Sequence, residues 1–576
     1  MGIHVKTDTG LVSMQAHVKT ATGLVPMSLH VKTATGIVAL SGGASAPIDA
    51  DGPVFTSGAT ATPIAENSGA GQVVYTAAAT DASLPVTYSL KPVGDYAAFS
   101  INSSTGAVTL TANPDYESKS SYSFTVIATD AASNASEQAV TLAITDVDEP
   151  VLLSPPSGFN WSPTVNVYKS GGSYYTDYDP TPFLVEGDPG VTTYYVDGQT
   201  GNDSNPGTAI APKKSLVTIS GGRVSKLLIK ARGIFYGGIT GPVQTGHDEL
   251  CVQAWDGAEC VITTEGTGIT TLVWTDETGG VWSAPSTWAG SNMIDPYYGT
   301  VIDDLQKYPL VASLELCQST PGSYYRQTSP SIKHYVHTTS GSSPDIGHTI
   351  FAANTYAQAF TASSKSYDQR IAFHGIDFRG GNAAFTVSGN SAYLKRVDLV
   401  GCSFKHGASF GAMHATGTTK IITYGCTSGP TSFDGFAYHS ADYGVTPPPS
   451  AIEINNHGRH CGAVSSANQG STTHYGGKVL RVNCTYEHNS DDQVADVGEQ
   501  SQSWNVGCHF GPKGIGSGSA GVQIGNDAAD TRAWLDGCTF SGLDYDVSTA
   551  QGGKIYYRNM PAPSVSPSSV GVVGTY

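Results

Sequence analysis

Short runs of alternating apolar and polar residues, punctuated by Gly, Asn, Asp and Pro, fill most of this chain. Alternation with period two puts every second side chain on one face of a strand. Between residues 54 and 150 the runs include Val73-Val74-Tyr75, Phe99-Ser100-Ile101 and Ala107-Val108-Thr109-Leu110, with others at 86–90, 122–126 and 140–144. Turn signals roughly every 8 to 12 residues over about 100 residues predict a two-sheet β-sandwich. No comparable stretch carries the 3.6-residue period of a long amphipathic helix.

The second half repeats itself. Gly401-Cys402-Ser403-Phe404, Gly425-Cys426-Thr427-Ser428, Asn483-Cys484-Thr485-Tyr486, Gly507-Cys508-His509-Phe510 and Gly537-Cys538-Thr539-Phe540 recur at steps of 24, 58, 24 and 30 residues. Cys461 divides the long step into 35 and 23, and Ile376 stands in the preceding copy, His374-Gly375-Ile376-Asp377-Phe378. A period in the mid-twenties is the length of one turn of a three-sided parallel coil. Cys and the aromatic two residues later share a face, and the exchange of Cys for Ile predicts that this face is interior. Nine Cys, an odd number, therefore read as packed thiols rather than a disulfide framework or catalytic nucleophiles.

At the N-terminus His4-Val5-Lys6-Thr7, His17-Val18-Lys19-Thr20 and His30-Val31-Lys32-Thr33 recur every 13 residues, each followed by Thr-Gly. The alternation reads as a strand and the Gly as its turn. So small a unit cannot bury a core alone and must stack on a neighbour or partner. The predicted order is repeats at 1–40, linker at 41–53, sandwich at 54–150, connector at 151–192, parallel coil at 193–556 with a Trp-bearing insertion at about 270–345, and an extended tail at 557–576.

Composition narrows the function. Only 13% of residues are charged and 68 are Gly, which favours strands and tight turns. A net charge of −18 disfavours nucleic-acid partners, whose phosphates need basic surface. The start shows no basic stretch followed by an apolar run, and no run of 18 uncharged apolar residues occurs, so neither a signal peptide nor a membrane span is expected.

Three resemblances add to this reading. The N-terminal repeats resemble short Val-Lys repeats near the ends of phage tail proteins, which implies docking to other tail proteins. Glu66-Asn67, Asp115-Tyr116-Glu117, Ala128-Thr129-Asp130 and Asp146-Val147-Asp148-Glu149-Pro150 resemble the motifs of cadherin domains. That resemblance implies calcium held by Glu66, Asp115, Glu117, Asp146 and Glu149; hard oxygen ligands suit that ion. The match departs from the family linker at Asp148 and Glu149. Residues 194–208, followed by Ala211-Pro212-Lys213-Lys214-Ser215-Leu216, resemble the opening segment of right-handed parallel β-helices of the pectate-lyase-like superfamily. The implied fold class is all-β: a right-handed parallel β-helix preceded by a cadherin-like β-sandwich and a short repeat-containing docking segment. The implied protein is a phage tail spike or fibre protein, made in a host cytoplasm and carried on the virion tail. It would bind host surface polysaccharide or lipopolysaccharide as a homotrimer.

Ionisable and aromatic residues are densest between 433 and 496. Asp434 follows Cys426 by eight residues and Asp492 follows Cys484 by eight, while His439 and His474 each follow a Cys, 426 and 461, by thirteen. In that frame Asp434 and Asp492 lie two coils apart on one side, about 10 Å at about 4.8 Å per coil. Inverting glycosidases hold their carboxyls about 6.5 to 9.5 Å apart and retaining ones about 5 to 5.5 Å, so the spacing leans toward inversion. The candidate catalytic set is Asp434, Glu453, Asp492, His439 and His474, with Glu453 as an alternative acid. Phe433, Tyr438, Arg459, Asp491 and Asp496 are the candidate glycan-binding residues. Hydrolysis needs no cofactor. Three alternatives stand beside it: turn-forming carboxylates in a non-catalytic adhesin or structural tail component; a polysaccharide lyase with His439 or His474 as base and Arg459 or Arg481 as helper; and a zinc site from His457, His460 and His474.

Overall fold

The computed structural model describes residues 3–7, 10–14, 29–33 and 36–40, then 49–576 except 217–223, 237–246, 264–272, 286–292, 296–305, 309–310, 328, 332, 339–349, 352–360, 363–368, 382, 390–393, 408–410, 418–419, 432, 440–447, 463–467, 515–519, 526–529 and 551. The chain divides into two compact units, Met1–Glu149 and Pro150–Tyr576. The second repeat and the 41–48 part of the linker lie outside the described residues.

In the first unit, Ile3–Thr7 pairs antiparallel with Gly10–Met14, and Leu29–Thr33 pairs with Gly36–Leu40. The first and third repeats thus each open a hairpin, and Gly10 and Gly36 begin its second strand instead of forming the turn. The sandwich has a four-stranded sheet built around Ser121–Thr129 and Ala135–Thr145 and a three-stranded sheet of Phe99–Ile101, Ala107–Leu110 and Gln72–Thr76. Alternate residues Phe124, Val126, Ala128, Val140, Leu142 and Ile144 meet Val74, Phe99, Val108 and Leu110 between the sheets. The period-two pattern of the sequence is the cause of this core.

The second unit is a parallel β-solenoid, and the expected all-β architecture is what the chain adopts. Among the described residues two of its faces join as a continuous run of 20 strands, and the third is a sheet of eight. Every neighbouring pair in these sheets is parallel, for example Lys420–Tyr424 with Ser450–Ile454 and Phe436–His439 with Ser471–His474. The bend between the first and second faces occurs at one repeated position. Gly375, Gly401, Gly425, Asn455, Asn483, Gly507 and Gly537 all have φ between 53° and 68° there. Only Gly, and less often Asn, adopts that left-handed conformation cheaply, which explains why Gly or Asn precedes Cys402, Cys426, Cys484, Cys508 and Cys538.

The residue after the bend turns inward. Ile376, Cys402, Cys426, Cys484, Cys508 and Cys538 are buried in one continuous core with Phe378, Phe404, Tyr486 and Phe510 two positions on. All nine cysteines are buried free thiols. Cys461 does not belong to this column. Asn456 occupies it instead, its Oδ1 accepting the Cys426 N–H at 2.9 Å, and Cys461 sits at the next corner, bridged to Thr431. Asn fills the gap because its amide satisfies the backbone at the bend, as no thiol can.

The connector is more ordered than its composition predicts. Val151–Leu153, Val167–Ser170 and Ser173–Thr176 form a small antiparallel sheet. Phe159, Val167 and Tyr174 pack on Ile422, Ile452, Leu480, Trp504 and Trp534, the outward side chains of the first solenoid sheet. That sheet therefore buries apolar side chains on its outer side as well as its inner one. Among the described residues the insertion holds a four-stranded antiparallel sheet, a three-stranded one and the helix Leu314–Ser319, and the coil resumes beyond it, Glu249–Ala254 pairing with Gln369–His374. The C-terminal segment joins the solenoid: Lys554–Arg558 and Val572–Thr575 extend the first sheet, because the apolar end of the last coil needs a cover. Among the described residues no helix is long and apolar enough to cross a membrane.

Candidate functional site

The third sheet carries different chemistry on its two sides. In Phe436–His439 the side chains of Phe436 and Tyr438 enter the core, so Ala437 and His439 face outward. In Ser471–His474, which pairs with it, Ser471 and Thr473 face inward and Thr472 and His474 outward.

Inside, three charges are fully enclosed: Glu453, Arg481 and Asp496 all have side chains 0% exposed. Glu453 accepts from Ser471 Oγ at 2.6 Å, Tyr486 Oη at 2.7 Å and Arg481 Nε at 3.3 Å. The guanidinium also donates to Thr473 Oγ1 at 3.1 Å and Asn505 Oδ1 at 3.2 Å, and lies 3.7 Å from Asp496 Oδ1. Ser503 Oγ donates to the other oxygen of Asp496. Burial raises the Asp496 carboxyl, and Arg481 opposes that rise. Glu453 and Asp496 therefore cannot meet a polymer from outside, nor can Tyr438, whose ring belongs to the core. Their expected roles in catalysis and glycan binding are corrected by this placement.

Outside, Asp434, His439 and His474 come together, each half-buried, with one ligand-capable atom from each lying within 4.8 Å of the others. The imidazoles of His439 and His474 stack at 4.0 Å, and His414 meets His439 edge-on at 5.1 Å. Burial pushes His474 and His414 down to about 4 and His439 well below the usual imidazole range, so all three rings are neutral at pH 7. Asp434 Oδ1 accepts the Gln469 N–H at 2.9 Å and Oδ2 accepts from Thr472 Oγ1 at 3.2 Å. Burial nonetheless raises its carboxyl to about 6, with Asp491 adding to the rise. Gln469 Nε2 reaches Asp491 Oδ2 at 3.0 Å, so one Gln joins two carboxylates. Phe433, half-buried, precedes Asp434.

Asp492 lies elsewhere in environment but not in register. The pairing Phe436–Ser471–Val494 places 434, 469 and 492 in one column, two coils from first to last. Asp492 is only 3% exposed and its Oδ1 accepts the Ala520 N–H at 2.6 Å. Asp434 and Asp492 thus make the same bond, each to the equivalent backbone N–H of the next coil. The enclosure of Asp492 removes it from the outer face and corrects its pairing with Asp434 as a catalytic couple.

The expected zinc set does not assemble. His457 bonds Glu487 at 2.9 Å on the second sheet and His460 stacks on His488 at 5.3 Å at the following corner, while His474 is on the third sheet. Arg459 also lies on the second sheet, in register with Glu487. Sequence reasoning missed His414, Thr472 and Gln469. His414 precedes His439 by 25 residues, one coil, which is the signal that was available.

In the sandwich, Glu66, Glu117 and Asp146 converge within 4.8 Å. Glu66 is 3% exposed and accepts the Val147 N–H at 2.7 Å and the Tyr116 N–H at 2.8 Å, which lower its carboxyl. Asp115 instead holds Ser118, and Glu149 accepts from Asn67 Nδ2 at 2.6 Å. Asp49, Asp81 and Asp130 form a second acidic group. It lies at the opposite end, since Asp130 follows Ser121–Thr129 and Asp146 follows its antiparallel neighbour.

Residues 60–145 match the cadherin domain family model. No curated protein matches the chain. Among solved structures, cadherin domains 3–6 of protocadherin gamma B2 share 26% identity over 20% of this chain, with a TM-score of 0.16. The chain covers 30% of that fragment's length. The third cadherin domain of human protocadherin 7 shares 23% identity over 18% of this chain and 95% of its own, with a TM-score of 0.16. XylC in complex with xylose shares 10% identity over 63% of this chain and 75% of its own, with a TM-score of 0.39.

Proposed function

We propose that this chain is a phage tail spike or fibre protein that binds host surface polysaccharide along the outer side of the third solenoid sheet and hydrolyses it there. The observation that carries the reading is the pair Asp434 and Asp491, joined through Gln469 on that side. Two carboxyls in unequal surroundings are the equipment of glycoside hydrolysis. Asp434, the more enclosed, is the proton donor to the leaving oxygen. Asp491 is the base. Phe433 lies beside them as a stacking surface for a sugar ring. The N-terminal hairpins dock to other tail proteins, the chains associate as trimers, and Glu66, Glu117 and Asp146 hold calcium in the sandwich. Calcium is then expected to raise the sandwich's unfolding temperature in the wild-type chain and to do so less in a Glu117→Gln, Asp146→Asn variant.

The test is reducing-end release from purified capsule and lipopolysaccharide, with binding recorded alongside. Release by the wild type and about 100-fold less by Asp434→Asn, at equal binding, is the expected result. Tight binding without release by the wild type sinks hydrolysis. It leaves the second reading, an adhesin, which the turn-forming bonds of Asp434 and Asp492 to the next coil favour.

A further inference from the structure

We propose that Asp434, His439 and His474 bind a zinc ion on the outer side of the third sheet. Tyr438 pairs with Thr473, so His439 and His474 occupy equivalent positions on successive coils, about 4.8 Å apart along the solenoid. Parallel stacking thus forces two imidazoles to one height and one side. Asp434 opens the same outer segment, and its bonds to Gln469 and Thr472 leave lone pairs on both oxygens.

The three donor atoms already lie within 4.8 Å of one another. Zinc bonds of about 2.0 to 2.2 Å bring neighbouring ligand atoms somewhat closer, a change within side-chain rotation. A second observation points to a ligand independently: His439 Nε2 is a buried ring nitrogen without a hydrogen-bond partner. Buried polar atoms are nearly always satisfied; Tyr438 Oη and Asp496 Oδ1, which also lack a hydrogen-bond partner, belong to the interior, whereas His439 stands on the outer side beside two further ligand-bearing groups. The edge of His414 against the His439 ring restrains that ring's orientation.

The donor set selects the ion. Two imidazoles and one carboxylate suit zinc and its transition-metal neighbours, whereas calcium and magnesium want oxygen alone. Neutral imidazole is the ligating form. The nine thiols, all buried, do not compete in the folded chain. Three protein ligands leave a fourth position open for a water or a substrate oxygen. This inference uses the proposed glycan site but does not depend on that reading, because its readout is metal uptake.

The experiment is calorimetric titration of zinc chloride into the chelator-treated full chain, with His439→Ala and His457→Ala beside the wild type. The expected result is a tight site in the wild type and in His457→Ala that weakens by at least about ten-fold in His439→Ala. Equal uptake by His439→Ala would assign the zinc to other residues, such as the N-terminal histidines, and overturn the proposal. So would no uptake by the wild type. X-ray absorption of the zinc-loaded wild type guards against a misfolded variant: two imidazole scatterers with oxygen support the site, and fewer imidazoles or any sulfur refute it.

Discussion

Strands Phe436–His439 and Ser471–His474 each have an inner and an outer side, and the two sides handle charge in opposite ways. Inside, Glu453, Arg481 and Asp496 share one guanidinium among two carboxylates, and Ser471, Thr473, Tyr486, Ser503 and Asn505 supply further hydrogen bonds. Outside, Asp434 carries a raised carboxyl, and His439 keeps a buried nitrogen without a partner. The inner network pairs its charges with one another and shuts out solvent, although Asp496 Oδ1 and Tyr438 Oη make no hydrogen bond within it, and it holds the fold together. A cluster left open beside solvent is where another molecule can complete the set. The contrast teaches that proximity of ionisable groups along the chain says little until the side of the strand is known.

The comparison breaks most severely if the inner network loses its cation. Arg481→Ala leaves Glu453 and Asp496 buried without compensation, and a loss of about 3–5 kcal/mol in solenoid stability is expected. Denaturant unfolding followed by near-ultraviolet circular dichroism of Trp504 and Trp534 reads it. Unchanged stability would show that water reaches these groups. Glycan binding should survive wherever the variant stays folded.

The outer cluster should respond in the reverse sense. Asp434→Asn keeps an acceptor for the Gln469 N–H, so the fold is expected to hold while glycan release falls on the order of 100-fold. Zinc sharpens the point. A zinc ion on Asp434 occupies the carboxyl that hydrolysis uses as an acid, so added zinc is expected to slow release several-fold in the wild type. It should do less in His474→Ala. Parallel measurements of release and zinc occupancy check both, and release unaffected at full occupancy would separate the two roles.

Glu453→Gln is a milder insult to the interior. The amide oxygen still accepts from Ser471 or Tyr486, but Arg481 loses one of its two anions. About 1–2 kcal/mol of stability is expected to go, again by denaturant unfolding, with release unchanged. A large loss of release would return Glu453 to the catalytic set against its placement.

Much of this was written in the sequence, and the failures have one physical cause. Gly-Cys and Asn-Cys marked the left-handed bend and the inward residue after it, because few residues tolerate that backbone. The strand Ser450–Ile454 misled, since alternation alone would turn Ile452 and Ile454 inward and Glu453 out. Ile452 and Ile454 instead point outward, into the apolar layer supplied by Phe159, Val167 and Tyr174. An outer side covered by apolar residues, with a charged network on the inner side, reverses the parity signal in this strand. Cys461 misled differently: the residue that belongs at its assumed place is Asn456, chosen for its amide. The column of Asp434 and Asp492 still came out two coils apart, because an intervening coil exists whichever residue marks it.

Asp492 supplies the finest distinction. It makes the bond that Asp434 makes, to the backbone N–H of the next coil, but from a closed position. If the bond is all that a carboxylate contributes at this corner, Asp434→Asn and Asp492→Asn should behave alike. Asn retains the acceptor, so each would shift stability by no more than about 1 kcal/mol and neither would alter release. If the outer side is a site, the two variants part company: equal stability, but release lost only at 434. Thermal unfolding and reducing-end release on the same preparations read both quantities. A matched pair would make the whole column turn-forming, and a split pair would locate function in the few ångströms that separate an open corner from a closed one.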